Sequence, residues 1–255
     1  MANEGQSQQH TGTQPCGTER SELNRETQHR PFFLLSGMGA DERVFAPQKE
    51  EFPWLIVPGW ITPVRGESLP DYAKRFAEKI DPGVPCIIGG ASFGGMLAVE
   101  MIPHLQVDAC ILIGSVSHPS QLPAIVRWVR PFEFMTRIVP YKFLQLATRI
   151  IVKVFDDFLS THNRTILEQA QNSEATFFRW AVRALVYWKK ETKDPPGKIY
   201  HIHGENDPLL PSGNLEPDEI VENGWHVISL RNGEKVNRFI QRVMDETRHS
   251  PSLSS

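Results

Sequence analysis

The stretch that most constrains the fold of this chain is Cys86–Glu100, with the sequence CIIGGASFGGMLAVE. A short apolar run ends at two glycines, Ser92 follows within the turn, and two more glycines lead into a run of helix-forming residues. This order predicts a buried strand, a sharp turn and a helix. Glycines on both sides of Ser92 let the strand and the helix pass closely, because residues without a Cβ leave room for neighbouring backbone.

The spacing Gly-x-Ser-x-Gly around Ser92 is typical of a serine that acts as a nucleophile. At such a turn the free N–H groups at the start of the helix face any negative charge that develops beside the serine. The alternative is a glycine-rich turn in which the serine only caps the helix. Because the short pattern also arises by chance, the functional interpretation requires partner residues elsewhere in the chain.

Apolar strands and helices alternate on both sides of this stretch. The predicted strands are Phe32–Leu35, Trp54–Val57, Cys86–Ile88, Ala109–Ile113, Ile199–His203 and Glu219–Val221. The predicted helices are a short one over Glu42–Phe45 capped by Asp41, one capped by Ser68 or Asp71, one from Ser92 to about Ile102, and one over Gly233–Met244. Strands that are apolar throughout and alternate with helices predict an α/β fold with a mostly parallel sheet flanked by helices.

The alternation is interrupted between residues 117 and 194, where helical stretches such as Lys142–Phe155 and Ser173–Lys190 are separated by prolines. We interpret this region as a helical cap inserted into a core formed by residues 31–116 and 195–246. The alternative is that these helices extend the core itself. Residues 1–30 are polar and contain no aromatic side chain, so we expect a disordered tail there, and a flexible C-terminal tail over residues 247–255.

Composition excludes several classes of protein. The net charge is −3 and no basic tract stands out, which argues against nucleic-acid binding. Three cysteines, an odd number, argue against a disulfide framework and for a reducing compartment, so we expect a cytoplasmic protein. The first thirty residues lack the apolar core of a signal peptide, and no apolar run is long enough to span a membrane. The oligomeric state is left open.

Three residues suited to nucleophilic catalysis follow three separate predicted strands. In a parallel α/β sheet the loops at the carboxyl ends of the strands face the ligand. Such loops carry Ser92, Asp207 and His226, in that order along the chain. A serine hydroxyl needs a base to take its proton, and an imidazole base needs a carboxylate to fix its tautomer. We therefore predict that these three side chains form a catalytic triad.

Four segments of the chain resemble segments of the α/β-hydrolase superfamily: GGASFGG, HIHGENDPLLP, NGWH and SGMGADERVF. The resemblance covers roughly residues 31–244. It implies an α/β-hydrolase fold and a carboxylesterase-like serine hydrolase that cleaves a small or medium ester through an acyl-enzyme. A small-molecule acyl substrate is implied, and neither a cofactor nor a metal.

Carried over position by position, the resemblance makes Ser92 the nucleophile, His226 the general base and Asp207 the orienting carboxylate. It also implies that the backbone N–H groups of Phe93 and Met38 form the oxyanion hole. Ser36 departs from the family pattern, since the loop that contains Met38 usually begins with histidine and glycine. That histidine supports the loop and is not itself part of the triad.

Several alternatives stay open at this point. His201 and His203 share one face of a strand and are either a metal pair or hydrogen-bonded strand residues. Glu205 is a second acidic candidate beside Asp207, and His118 is either a residue at the pocket entrance or a solvated loop residue. The aromatic residues that would line an acyl pocket, or simply belong to the core, are Trp128, Phe132, Phe134, Phe177 and Trp180. The same triad would also serve a thioesterase, lactonase, amidase or lyase, and a non-catalytic ligand-binding protein with this fold is a further possibility.

Overall fold

The computed structural model describes residues 29–124, 126, 175–190 and 198–249, and the unit that carries the fold begins at Pro31. Within these residues six strands form one sheet: β1 Phe32–Leu35, β2 Leu55–Ile56, β3 Cys86–Ala91, β4 Val107–Ile113, β5 Lys198–Gly204 and β6 Glu219–Val221. Their spatial order is β2-β1-β3-β4-β5-β6, and every neighbouring pair is parallel. The predicted parallel sheet is confirmed.

The described helices are α1 Ala46–Glu51, α2 Leu69–Ile80, α3 Phe93–Met101, α4 Ala175–Val186, α5 Ile228–Arg231 and α6 Gly233–His249. Short 3₁₀ turns lie at Glu42–Phe45, Ile102–His104, Pro119–Gln121 and Ser212–Asn214. None of the helices in the described part of the chain is both long and apolar enough to cross a membrane.

Helices cover both faces of the sheet. The side chains along a strand alternate between these two faces, so each strand contributes to two apolar clusters. Ile88 and Leu112 lie in one apolar cluster with side chains of α2, α3 and α4. Ile87 and Ile111 point to the other face and lie in a second cluster with α5 and α6. The predicted arrangement of a sheet between two helical layers is therefore confirmed for the described residues.

The predicted helix caps agree with the structure. The Ser68 hydroxyl oxygen accepts a hydrogen bond from Asp71 N at the start of α2, and Asp41 accepts one from Arg43 N at the first 3₁₀ turn. Both caps satisfy backbone N–H groups that have no acceptor within the helix. The short helix α1 was not predicted, because its sequence APQKEE offers one buried side chain, Gln48.

Strand β3 is longer than predicted and includes the glycines before the turn. Gly89 and Gly90 pair with Ile111 and Leu112 of β4, so they are strand residues. A Cβ at Gly89 would collide with the carbonyl oxygen of Ile111, which explains why a residue without a side chain lies there. The apolar pattern ended at Ile88 and therefore underestimated the strand.

Helix α4 lies in the region predicted as a cap. Its side chains Phe177, Trp180, Ala181 and Ala184 are buried in the same apolar cluster as α2 and α3. The described contacts of this helix are with the core helices, and the division into a core and an inserted cap stays a prediction. The predicted stretch Lys142–Phe155 and the aromatic residues at positions 128, 132 and 134 lie outside the described residues.

The predicted C-terminal boundary is wrong by three residues. Helix α6 continues to His249 instead of ending before residue 247. Thr247 is buried, and its hydroxyl donates hydrogen bonds to the carbonyl oxygens of Val243 and Met244. The inward-facing stripe thus continues one turn beyond Met244 through a polar residue, which a pattern of apolar residues alone does not reveal.

Candidate active site

Ser92 lies at a strained turn between β3 and α3. Its backbone angles are φ 51° and ψ −122°, a region that residues with a side chain rarely adopt. The surrounding backbone is close enough to exclude larger residues. A Cβ at Gly90 would be 2.5 Å from the carbonyl carbon of Gly94, and one at Gly94 would collide with the carbonyl oxygens of Leu35 and Ser36. The glycines therefore permit the close passage of strand, helix and the loop after β1.

The structure brings Ser92, His226 and Asp207 into one hydrogen-bonded chain. His226 Nε2 lies 2.9 Å from Ser92 Oγ, and His226 Nδ1 lies 2.7 Å from Asp207 Oδ2. The Asp207 side chain is fully buried, whereas 15% of the His226 side chain is exposed. An alcohol, an imidazole and a carboxylate in this order form the arrangement that allows a serine to lose its proton to a base.

Both carboxylate oxygens of Asp207 accept hydrogen bonds. Oδ1 accepts from the N–H groups of Leu209 and Leu210, each at 2.9 Å. Burial by itself would raise the pKa of this carboxyl group, but hydrogen bonds from His203 and His226, and from the Leu210 N–H, hold that pKa well below its usual range. Asp207 is therefore ionised at neutral pH and able to accept from the His226 imidazole.

The loops that carry the acid and the histidine are joined by backbone hydrogen bonds. Asn206 N donates to Gly224 O at 2.8 Å, and Asn223 N donates to the Glu205 carboxylate at 2.8 Å. Asn223 has φ 55°, which asparagine tolerates better than most residues. Glu205 thus binds the backbone of the histidine loop, and Asp207 is the carboxylate that contacts His226.

The loop after β1 lies against the serine. The Ser36 hydroxyl donates to Ala40 O at 2.9 Å and so closes the loop. A Cβ at Gly37 would be 3.6 Å from the Ser92 Cβ, so the peptide before Met38 lies beside the serine. Phe93 is the first residue of α3, and its N–H has no acceptor within the helix. The two N–H groups expected to form an oxyanion hole therefore belong to segments that adjoin Ser92.

Among the residues that the structure describes, no third side chain joins His201 and His203 to form a metal site. His201 Nε2 lies 3.0 Å from His203 Nδ1, so the two rings contact each other. Within the described ranges no group of three or more histidine, cysteine, aspartate or glutamate side chains is arranged to hold a metal ion. His118 is a solvent-exposed loop residue, and its ring contacts Ser120.

An aromatic cluster lies directly behind the serine turn. Phe93, the residue after Ser92, has its ring centroid 6.3 Å from that of Phe177 and 5.9 Å from that of Trp180. The ring centroid of Trp60 lies 4.8 Å from that of Phe177. Helix α4 is thereby packed against the turn that presents the serine, and these rings form an apolar wall on that side of the site.

Two residues of the site were not predicted. Ser115, after β4, donates its hydroxyl proton to Ser92 O at 2.6 Å. His203, on β5, lies 3.3 Å from Asp207 Oδ2. Ser115 carries no sequence signal of its own. His203 lies within the segment HIHGENDPLLP, and its spacing of four residues before Asp207 was the only available indication.

The sheet order, the sharp turn after β3 and the loops after β5 and β6 together define the α/β-hydrolase fold. Solved structures with this fold include an esterase from Thermogutta terrifontis, with a TM-score of 0.64, 15% identity and coverage of 86% of this chain and 91% of that one. MenH from S. aureus has a TM-score of 0.66 at 14% identity, with coverage of 88% and 97%. The N-acyl homoserine lactonase AidH has a TM-score of 0.66 at 13% identity, with coverage of 90% and 93%. No protein-family model and no curated protein sequence matches the chain.

Proposed function

We propose that this protein is a serine hydrolase that cleaves a small or medium carboxylic ester through an acyl-enzyme. The observation that carries the proposal is the hydrogen-bonded chain from Ser92 Oγ through His226 to Asp207 Oδ2. The strained backbone of Ser92 adds support, because such strain is concentrated at functional sites. Esterases and a lactonase among the proteins of similar fold are in keeping with acyl chemistry.

In the first step Ser92 Oγ attacks the carbonyl carbon of the ester while His226 Nε2 takes the hydroxyl proton. The negative charge that develops on the carbonyl oxygen is bound by the N–H groups of Phe93 and Met38. Asp207 remains a carboxylate and stabilises the imidazolium through Nδ1. The bond to the alcohol then breaks, and His226 gives its proton to the leaving oxygen.

In the second step His226 takes a proton from a water molecule, and the resulting hydroxide attacks the acyl group on Ser92. The tetrahedral intermediate collapses when His226 returns a proton to Ser92 Oγ, which releases the carboxylic acid. Every proton is thus moved by His226 Nε2, the ring nitrogen that lies 2.9 Å from the serine. The proposed steps use these residues and the water molecule that attacks the acyl group.

The same chain of residues supports cleavage of thioesters, lactones or amides, and no contact in the described part of the site favours one of these over an ester.

We propose the cytoplasm as the compartment, because Cys86 and Cys110 are free and buried thiols.

The test combines active-site labelling with a substrate panel. A fluorophosphonate should label Ser92, identified by peptide mapping, and Ser92→Ala should lose both the label and roughly three or more orders of magnitude of ester hydrolysis. The panel runs from acetyl to octanoyl aryl esters and includes one thioester, one lactone and one amide. Ser120→Ala removes an exposed loop hydroxyl and serves as the matched control. Retention of most activity by Ser92→Ala would exclude the proposal.

A further inference from the structure

Asp207 contacts a second imidazole besides that of His226. His203 lies on β5 with a side chain that is completely buried. Its Nε2 is 2.8 Å from the carbonyl oxygen of Leu210 and 3.3 Å from Asp207 Oδ2. The same Oδ2 atom lies 2.7 Å from His226 Nδ1. One carboxylate oxygen is therefore shared by an imidazole on the substrate side and an imidazole inside the core.

The two oxygen neighbours fix which ring nitrogen of His203 carries the proton. A peptide carbonyl and an ionised carboxylate accept hydrogen bonds and do not donate them. His203 Nε2 must therefore bear a proton and donate it. On the other side of the ring, His203 Nδ1 lies 3.0 Å from His201 Nε2, and His201 also has a hydrogen bond with the backbone of Ser115.

Burial favours the neutral state of His201. Burial and, to a smaller extent, the neighbouring His203 together lower the pKa of His201 to about 3, although a hydrogen bond with the Ser115 backbone acts to raise it. His201 is 7% exposed and borders a cavity of about 570 Å³, whose other polar lining includes Gln121, Glu216 and Asp218. Asp218 also accepts from the main-chain N–H of His201 at 2.7 Å, which holds this residue in place.

We propose that His203, which donates from Nε2, is a positioning residue that holds Asp207 for its contact with His226. The inference rests on the proposed function, since it assigns a role within the same triad. His203 fixes the acid loop twice, through Asp207 Oδ2 directly and through the Leu210 carbonyl. The Leu210 N–H in turn donates to Asp207 Oδ1 at 2.9 Å. The carboxylate is thereby held at both oxygens from the side opposite the substrate.

Removal of the His203 donor has a specific electrostatic consequence. Asp207 Oδ2 would keep more of its negative charge for His226, so the imidazolium form of His226 would be stabilised. The acid limb of the pH profile of kcat/KM would then move to higher pH. A residue that only fills space in the core would not move this limb.

The experiment compares His203→Met, which removes the donor, with His203→Gln, whose amide nitrogen keeps it. We expect His203→Met to lower kcat by roughly 10- to 100-fold with KM changed less than about 3-fold, and to shift the acid limb to higher pH. His203→Gln should recover most of kcat and the original pH profile. Thermal unfolding of each variant, followed by circular dichroism, reports on folding.

A measurement that does not depend on turnover completes the test. Nitrogen-15 NMR of histidine-labelled protein should show the His203 ring protonated at Nε2, with its signals assigned from the His203→Gln variant. A His203 ring protonated at Nδ1 alone would overturn the inference, even if His203→Met does not fold. So would a folded His203→Met with unchanged kcat and pH profile while the parent protein remains labelled at Ser92. Absence of Ser92 labelling in the parent would instead refute the proposed function.

Discussion

The Ser115 hydroxyl donates a 2.6 Å hydrogen bond to the main-chain carbonyl oxygen of Ser92. Ser115 lies just beyond β4 and is completely buried. A Cβ at Gly95 would be 2.5 Å from the Ser115 hydroxyl oxygen, so the glycine after the serine turn makes room for this contact. The end of the neighbouring strand therefore holds the strained turn from behind.

Ser115→Ala should lower the free energy of unfolding by about 1 kcal/mol and kcat by a few-fold. The loss is modest because the Ser92 carbonyl oxygen also accepts from Gly95 N and Met96 N, so it keeps partners. Chemical denaturation and ester hydrolysis measure the two effects. Ser117→Ala removes a hydroxyl that contacts Gln121 and not the turn, and should leave kcat unchanged. An unchanged stability in Ser115→Ala would show that the contact contributes nothing.

Gly94→Ala should destabilise the protein by about 3 kcal/mol or more, or prevent folding. The added Cβ would meet two backbone carbonyl oxygens, those of Leu35 and Ser36, which cannot move without shifting β1. Gly59→Ala is the matched control, because nothing lies within 4 Å of its Cβ position. It should change the free energy of unfolding by less than about 0.5 kcal/mol. Equal stabilities of the two variants, measured by urea denaturation, would contradict the packing described at the turn.

Ser92→Gly should be more stable than Ser92→Ala by about 1 kcal/mol, although both variants are inactive. Glycine adopts φ 51° without strain, whereas alanine keeps the strain that serine has. The greater flexibility of glycine in the unfolded chain offsets part of this gain. Thermal and chemical denaturation of the two variants side by side measures the difference. A less stable glycine variant would show that the turn stores no strain.

Asp207→Asn should lower kcat by about 10⁴-fold with little change in KM, because the amide favours the wrong tautomer of His226. Glu205→Gln, in the same loop, still accepts from Asn223 N and should stay within a few-fold of the parent enzyme. Steady-state kinetics on an aryl ester distinguishes the two variants. Comparable losses of kcat in both variants would imply that activity depends on the loop as a whole and that the Asp207 carboxylate has no specific role.

The stability of the protein should depend on pH through the same carboxylate. The pKa of Asp207 is lowered by folding below the value of about 3.9 expected in the unfolded chain. As the pH falls, the Asp207 carboxyl group therefore takes up a proton in the unfolded chain before it does so in the folded protein. The contribution of this group to stability is complete above about pH 5 and is lost as the pH falls below about 4. The difference in unfolding free energy between the parent protein and Asp207→Asn should thus be largest at pH 7 and shrink at pH 3. A difference that does not vary with pH would be the contrary result.

Much of the fold follows from the sequence because each strand and helix carries its own signal. The apolar run Phe32–Leu35 and the short segment Glu219–Val221 predicted β1 and β6 with the bounds that the structure has. Ser68 was predicted as a helix cap because a serine hydroxyl can accept a hydrogen bond from a backbone N–H group nearby in the sequence. In the structure this group is Asp71 N. These signals are local, and a sequence pattern records local preferences directly.

The relations between strands were less predictable. Ser115 contacts Ser92 only because β4 lies beside β3, and His203 reaches Asp207 only because the acid loop folds back over β5. Helix α4 shows the same limit. The inward face that contains Phe177 and Ala181 was visible, but its partners were not, so the preference for a cap rested on the interrupted alternation of strands and helices alone. Periodicity identifies the face of a helix and not what it packs against.

The position of β6 at the edge of the sheet has a consequence for how the protein loses activity. Ser92 follows β3, which has a strand on each side, whereas His226 follows a three-residue strand that, among the described residues, pairs on one side, with β5. Opening of that short outer strand would carry the imidazole away while the serine turn stayed intact. Hydrogen exchange should therefore be faster at Val221 than at Ile88, and inactivation in mild urea should precede the collapse of the central strands.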